Sequence, residues 1–383
     1  MNKLFFCLLC LINYISFSKS NNEDKISLGL YSSSVILVEA NSGDVLYESN
    51  SNEKHHPASM TKMMGMYLVL KNIEEEKLHF DDIVTCSNQA SSMGGTQIYL
   101  EPGEKMSVED LFKSVCINSA NDSIAALGEH IYGTIPNFVS IMNKTAKEIG
   151  MKNTSFKNCT GFDDSEHYST CYDMSLIACK LVQFNEMLFR FTRLKEAYIR
   201  ENSSEPFWLV NTNKLLGQYD GLDGLKTGYT KLANYNLTAT AKRNNIRLIS
   251  VVMNEKTKEE RTQDTKTLLN YGFSKLKALC LFGKDEVIAT YAFKKAKEKL
   301  TDVKTCREVI IVVENDVEKE DLKYEISIDK IYAPLKKGDV VGVLTIINQK
   351  NNKKYSCDLY VDHEIEQLSY INYILDYLYS LFV

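Results

Sequence analysis

The chain has 383 residues, 44% of them hydrophobic, and a formal net charge of −5 at pH 7. That is length for two or three domains and apolar content for a large core. Its lysines are spread along the chain and form no basic stripe, which excludes a nucleic-acid surface, and its six histidines show no H-E-x-x-H or other ligand spacing, so no catalytic metal is expected.

Residues 1–20 read as an export signal. Lys3 supplies a short positive start, Leu4 to Phe17 is a mostly apolar run, and Ser16, Ser18 and Ser20 are small residues suited to cleavage. An uncleaved membrane anchor is the other reading of this run. Cys7 and Cys10 fall inside it; the remaining eight cysteines are scattered without C-x-x-C spacing and read as small core residues.

Ser34 to Glu39 reads as a buried strand, Asn41 to Asp44 as a turn, and Val45 to Glu48 as the returning strand of a hairpin. From Ser59 the apolar spacing becomes helical, and the chain stays largely helical to about Gln183. Helices are expected over Val108 to Cys116, Ser123 to Tyr132, Asn137 to Ile149 and Met174 to Val182. Strands return at Gly224, with an antiparallel pair over Tyr235 to Ala241 and Arg247 to Met253, then a covering helix from Thr262 to Leu279. The fold class is therefore α+β: an antiparallel sheet built from both ends of residues 26–281, flanked by helices, with a helical region inserted between its strands. Beyond Leu281, short strand-like runs at Val287 to Phe293, Glu308 to Glu314, Lys323 to Ile328 and Val340 to Ile347 predict a small all-β domain over 282–362. Residues 363–383 read as an amphipathic helix with Leu368, Ile371, Ile374 and Leu375 on one arc and Ser369, Asn372 and Asp376 on the other.

Three short motifs carry the chemistry. Ser59-Met60-Thr61-Lys62 places a hydroxyl and an amine one helical turn apart at a helix start. A serine hydroxyl is a weak nucleophile and needs a base; a lysine amine serves once burial or a neighbouring cation lowers its pKa. Backbone N–H groups at the helix start suit a developing oxyanion. Ser119-Ala120-Asn121 follows an apolar run; Ser119 could relay a proton and Asn121 could hold both Lys62 and a substrate amide, with Ala120 allowing a tight turn. Lys226-Thr227-Gly228 reads as a strand. Lys226 adds positive potential, Thr227 can bond a carboxylate, Gly228 leaves room for a substrate backbone, and the N–H of Tyr229 is the second oxyanion donor. Taken singly, the first two motifs read better as helix caps, and the alternative for the third is an exposed hairpin edge. Their order and spacing make one active site the better reading.

Those motifs, with Leu100-Glu101-Pro102-Gly103-Glu104, Gly150-Met151-Lys152-Asn153-Thr154, Thr160-Gly161, and Asp223-Gly224-Leu225 before the third motif, make the chain resemble the serine D-alanyl-D-alanine carboxypeptidases, the low-molecular-mass penicillin-binding proteins. The resemblance covers roughly 32–271. It implies a serine β-lactamase/D,D-peptidase-like fold with no cofactor. It implies Ser59 as acylated nucleophile, Lys62 as base, Ser119 and Asn121 as second-motif residues, and Lys226 and Thr227 as carboxylate-binding residues. It further implies peptidoglycan pentapeptide ending in D-Ala-D-Ala as substrate, β-lactams as inhibitors and an extracytoplasmic location. Lys54-His55-His56 and Lys231-Leu232-Ala233-Asn234 depart from the family's usual residues beside the first and third motifs. The terminal helix carries no cation from Glu364 onward, unlike a usual membrane-surface helix. Peripheral membrane contact and docking on the β domain are both open for it. A serine β-lactamase is the nearest alternative, but the Glu-x-x-Leu-Asn segment of a class A enzyme is missing between Ser119 and Lys226. A non-catalytic peptidoglycan-binding protein of the same fold would have no need of all six catalytic side chains.

Overall fold

The computed structural model describes residues 27–201, 203–369 and 371; the export segment and most of the expected terminal helix lie outside them. The first hairpin forms as its turn chemistry dictates, from β1 (Ser34–Glu39) and β2 (Val45–Ser49). A 3-10 turn over Ala58–Thr61 then runs into α1 (Lys62–Glu74), which is buried along most of its length. The helical region continues through β3 (Ile83–Thr85), α2 (Asn88–Ser91), β4 (Lys105–Ser107), α3 (Val108–Ile117), α4 (Asn121–Tyr132), α5 (Ile135–Ile149), α6 (Cys171–Val182) and α7 (Glu186–Thr192). Four of its helices start where hydroxyls cap them. Ser87, Ser107, Thr134 and Thr170 each accept the N–H three residues on, and Gly150 ends α5 in the left-handed conformation.

A small hairpin, β5 (Glu196–Ile199) and β6 (Phe207–Val210), leads into the long strands β7 (Leu222–Thr230), β8 (Asn234–Arg243) and β9 (Ile246–Glu255). These join the first hairpin in one antiparallel sheet of order β2-β1-β9-β8-β7, so strands from both ends of the domain flank the helical insertion, as the hydrophobic pattern predicts. β7 is an edge strand. One core, which includes Met60, Phe112, Phe138, Phe191 and Val251, lies between the sheet and the helical region, and a second lies between the sheet and α8.

Helix α8 (Lys258–Lys275) starts and ends earlier than the spacing of its apolar residues predicts. Its start is set by a capping box in which Thr257 and Glu260 satisfy each other's backbone N–H groups. Its end is set by tertiary pairing: residues expected to be helical to Leu279 become β10 (Leu276–Phe282) and pair with β13 (Val309–Glu314). Between them run β11 (Val287–Tyr291) and β12 (Thr301–Thr305), and after them β14 (Leu322–Ile328), β15 (Val340–Asn348) and β16 (Lys354–Tyr360). These five make a second antiparallel sheet of order β11-β12-β16-β15-β14 over its own apolar core. The expected helix does not begin at His363. Residues 365–367 pair across the domain instead, because Ile365 and Leu335 exchange both backbone hydrogen bonds and Gln367 bridges to Ala296. All eight cysteines from Cys86 to Cys357 are free thiols, five of them buried.

Candidate active site

Ser59 sits in the 3-10 turn, half-exposed, and Lys62 opens α1 directly after it. Lys62 is fully buried. Its Nζ lies 2.9 Å from Ser59 Oγ and donates to Thr160 O at 2.8 Å. Burial, then the nearby Lys226 ammonium, holds the Lys62 amine well below the ordinary lysine range. Among the described residues no carboxylate is hydrogen-bonded to Ser59 or Lys62, so no ion pair holds the amine in its charged form. Burial and the Lys226 charge both favour the neutral amine, the form a base needs.

Lys226 projects from β7 into the same interior, 1% exposed, and burial brings its pKa down to about 7. Arg261 of α8 pushes in the same direction. That arginine is itself buried and its guanidinium forms no ion pair with a described carboxylate. Thr227 Oγ1 donates to Thr212 Oγ1 at 2.8 Å, and Lys226 Nζ donates to Thr227 O at 3.1 Å. The strand is anchored behind the site by Asp223, whose carboxylate accepts two hydrogen bonds from Arg247.

Gly228 has a packing task besides the one its sequence position suggests. A Cβ there would lie 2.5 Å from Pro57 O and 3.3 Å from Met60 N. Its missing side chain lets the serine-bearing turn pack on β7, a packing role that stands beside the expected space for a substrate backbone. Tyr229 comes next with its ring outward, 54% exposed and stacked on Tyr235 with centroids 4.4 Å apart.

Ser119 adopts φ 68, so the serine itself makes the tight turn that the sequence reading gives to Ala120, which has an ordinary φ of −57. Ala58, just before the nucleophile, also has positive φ. Such conformations cost on the order of 1–3 kcal/mol each and persist where the surroundings hold them. Ser119 Oγ is buried without a hydrogen-bond partner among the described residues, which leaves it able to accept from or donate to a bound ligand. Asn121 Nδ2 is not bonded to Lys62; it donates to Gly94 O at 2.7 Å, while its backbone N–H donates to Thr96 O. The neighbouring Asp122 carboxylate lies near enough to Lys62 to oppose the depression of its pKa, and it fixes the 98–100 backbone by accepting from Ile98 and Leu100 N–H.

Thr160-Gly161 is legible as part of the resemblance, but nothing in the sequence tells that its loop completes the site. Asn158 Oδ1 accepts from the N–H groups of Thr160, Gly161 and Phe162, which shapes the loop and aims Thr160 O at Lys62. Gly161 has φ +90, and a Cβ there would stand 1.8 Å from Ala58 O. Gly161→Ala is therefore expected to cost on the order of 3 kcal/mol and to slow acylation, measurable by urea unfolding and by labelling with a fluorescent penicillin. Phe162 lies against Gly95, so the loop lies between the serine turn and the second-motif side of the cleft.

His167 supports the floor. Its Nδ1 accepts the Lys157 N–H at 3.1 Å, so Nε2 carries the proton and donates to Thr61 Oγ1 at 2.8 Å. Burial pulls its pKa from the ordinary 6.5 to about 4. The unfolded chain thus binds this proton first as pH falls, and stability is lost between about pH 6.5 and 4, on the order of 3 kcal/mol in total. His167→Gln is expected to flatten that part of the stability–pH curve, as read from urea midpoints at pH 7 and pH 5.

A serine hydroxyl beside a buried lysine of depressed pKa, with a second buried lysine nearby on an edge strand, is the site of a serine hydrolase whose base is an amine. The D-alanyl-D-alanine carboxypeptidase family, peptidase S11, matches residues 19–257, and the C-terminal domain of penicillin-binding protein 5 matches residues 278–367. The chain belongs to this carboxypeptidase family. It is 42% identical over 332 residues to the D-alanyl-D-alanine carboxypeptidase DacF of Bacillus subtilis, covering 86% of this chain and 85% of that one. Among solved structures, penicillin-binding protein 5 of Haemophilus influenzae aligns with a TM-score of 0.68 at 30% identity, over 88% of this chain and 98% of its own. Penicillin-binding protein D2 of Listeria monocytogenes, solved in its ampicillin-bound form, aligns with a TM-score of 0.58 at 31% identity, over 65% of this chain and all (100%) of its own.

Proposed function

We propose that this chain is a serine-type D-alanyl-D-alanine carboxypeptidase that removes the terminal D-Ala from peptidoglycan pentapeptide through an acyl-enzyme on Ser59. β-Lactams acylate the same serine. The observation that carries the reading is the 2.9 Å approach of Ser59 Oγ to a fully buried Lys62 whose pKa is held well below the ordinary lysine range.

The terminal carboxylate of the substrate pairs with the Lys226 ammonium and the Thr227 hydroxyl, with Arg261 adding positive potential. Ser59 Oγ attacks the carbonyl carbon of the penultimate D-Ala as its proton passes to Lys62 Nζ. The oxyanion is held by the N–H groups of Ser59 and Tyr229. Ser119 then passes the proton to the leaving amine, the C–N bond breaks, and free D-Ala departs. Water adds to the ester, giving its proton to Lys62, and Ser59 is released. Asn121 fixes the Gly94 side of the cleft and lines the substrate amide.

Family members act on cell-wall peptidoglycan, so the site of action is extracytoplasmic. No described helix is long and apolar enough to cross a membrane. The outer face of the cytoplasmic membrane suits the chain best, because the sequence beyond Gln367 is apolar and tyrosine-rich, a composition suited to a peripheral contact. Release of D-Ala from an N-acylated tripeptide ending in D-Ala-D-Ala tests the activity. Cleavage elsewhere in the peptide, or none, would contradict it.

A further inference from the structure

We infer that the lysine-rich loop of the β domain is a second membrane contact, which supplies anionic-lipid attraction that the terminal segment lacks. The inference rests on the peripheral-contact reading above and assigns it a further surface.

In a chain of net charge −5, Lys294, Lys295, Lys297 and Lys299 crowd one exposed loop between β11 and β12. Exposed apolar groups accompany them. Leu300 is 65% exposed, and Tyr332, 52% exposed, lies beneath Lys294 and Lys295 with their ammoniums 5.5 and 5.8 Å from its ring centroid. Ammonium groups around an exposed tyrosine and leucine suit a headgroup boundary, where cations meet lipid phosphates and the apolar groups enter below them. Beside the loop, Glu298 pairs with His363, and Glu366 pairs with Lys297.

The course of the chain beyond the second sheet decides the occupant. The Leu368 N–H donates to Lys295 O at 2.7 Å, the Lys297 N–H to Glu366 O at 2.9 Å, and Ala296 bridges to Gln367. The chain therefore leaves the β domain along the lysine loop itself. The sequence from Leu368 to Val383 is apolar and tyrosine-rich and carries no lysine or arginine. One weak apolar signal binds a bilayer only marginally, whereas an apolar signal beside a polybasic patch holds it firmly.

The test is sedimentation of the chain, with its C-terminal residues intact, on phosphatidylcholine vesicles with and without phosphatidylglycerol. Wild type is expected to bind the anionic vesicles roughly tenfold or more tightly, and the advantage should vanish as salt rises from roughly 0.05 to 0.5 M. The triple variant Lys294→Gln/Lys295→Gln/Lys299→Gln should lose that advantage while keeping its binding to neutral vesicles and its rate of penicillin acylation. A variant that retains the anionic preference, or a wild type without one, would overturn the loop's role yet leave the terminal segment's role to the neutral-vesicle result. Binding to neither vesicle would overturn both.

Discussion

Ser59→Ala is expected to release no D-Ala above background and to take up no penicillin. Removing the oxygen removes the only bond through which the acyl group is held, so the loss should reach at least about 10⁴-fold in kcat/KM. The fold should survive. Ser59 is half-exposed, and among the described residues its side chain is hydrogen-bonded to Lys62 alone. Near-wild-type urea unfolding alongside absent turnover would show that chemistry and not folding was lost. Persistent acylation of the variant would move the nucleophile elsewhere.

Lys62→Ala should cost a similar factor, about 10³–10⁴-fold, and change the pH dependence, which a merely structural lysine would not do. In the wild type, kcat/KM should be bell-shaped. Its rising limb tracks Lys62 losing its proton, and its falling limb tracks Lys226 losing the charge that holds the substrate carboxylate. Burial places that second loss at about 7 in the free enzyme. Burial and then the Lys226 charge both lower Lys62, so the acid limb lies well below the ordinary lysine range. Lys226→Ala should therefore shift the acid limb upward, because Lys62 loses a cationic neighbour, and should weaken substrate binding at every pH. An acid limb that stays in place would show that the two amines do not interact.

How much of this is legible in the sequence depends on distance along the chain. Ser59 and Lys62 are three residues apart, and helical geometry alone puts them together. Lys226 lies far off, yet its Lys-Thr-Gly setting on a strand is legible from alternation and order. Residues acting through backbone shape are harder. Gly228 reads as a gap for substrate, and its fit to the Pro57 carbonyl is a further contact that only the packed turn reveals. The turn at the second motif falls on Ser119 and not on Ala120, since nothing local marks a serine for positive φ. Asn158, Thr160 and Thr212 reach the site from loops without periodic signal. The short pair β5 and β6 lies below the length at which alternation is informative, and residues 276–279 fit either period until β13 is there to pair with them. Residues 365–367 depart from expectation for the same reason: their spacing suits a helix, but Leu335 and Ala296 pair with them across the domain.

The central claim, an acyl-enzyme on Ser59, is tested most directly by the intact mass of the protein over time after benzylpenicillin is added. A one-to-one adduct that persists after free drug is removed, mapped by peptide digestion to Ser59, is the predicted result. Drug consumed with no lasting adduct would contradict it in favour of a β-lactamase, and neither adduct nor drug loss would leave the fold without its chemistry.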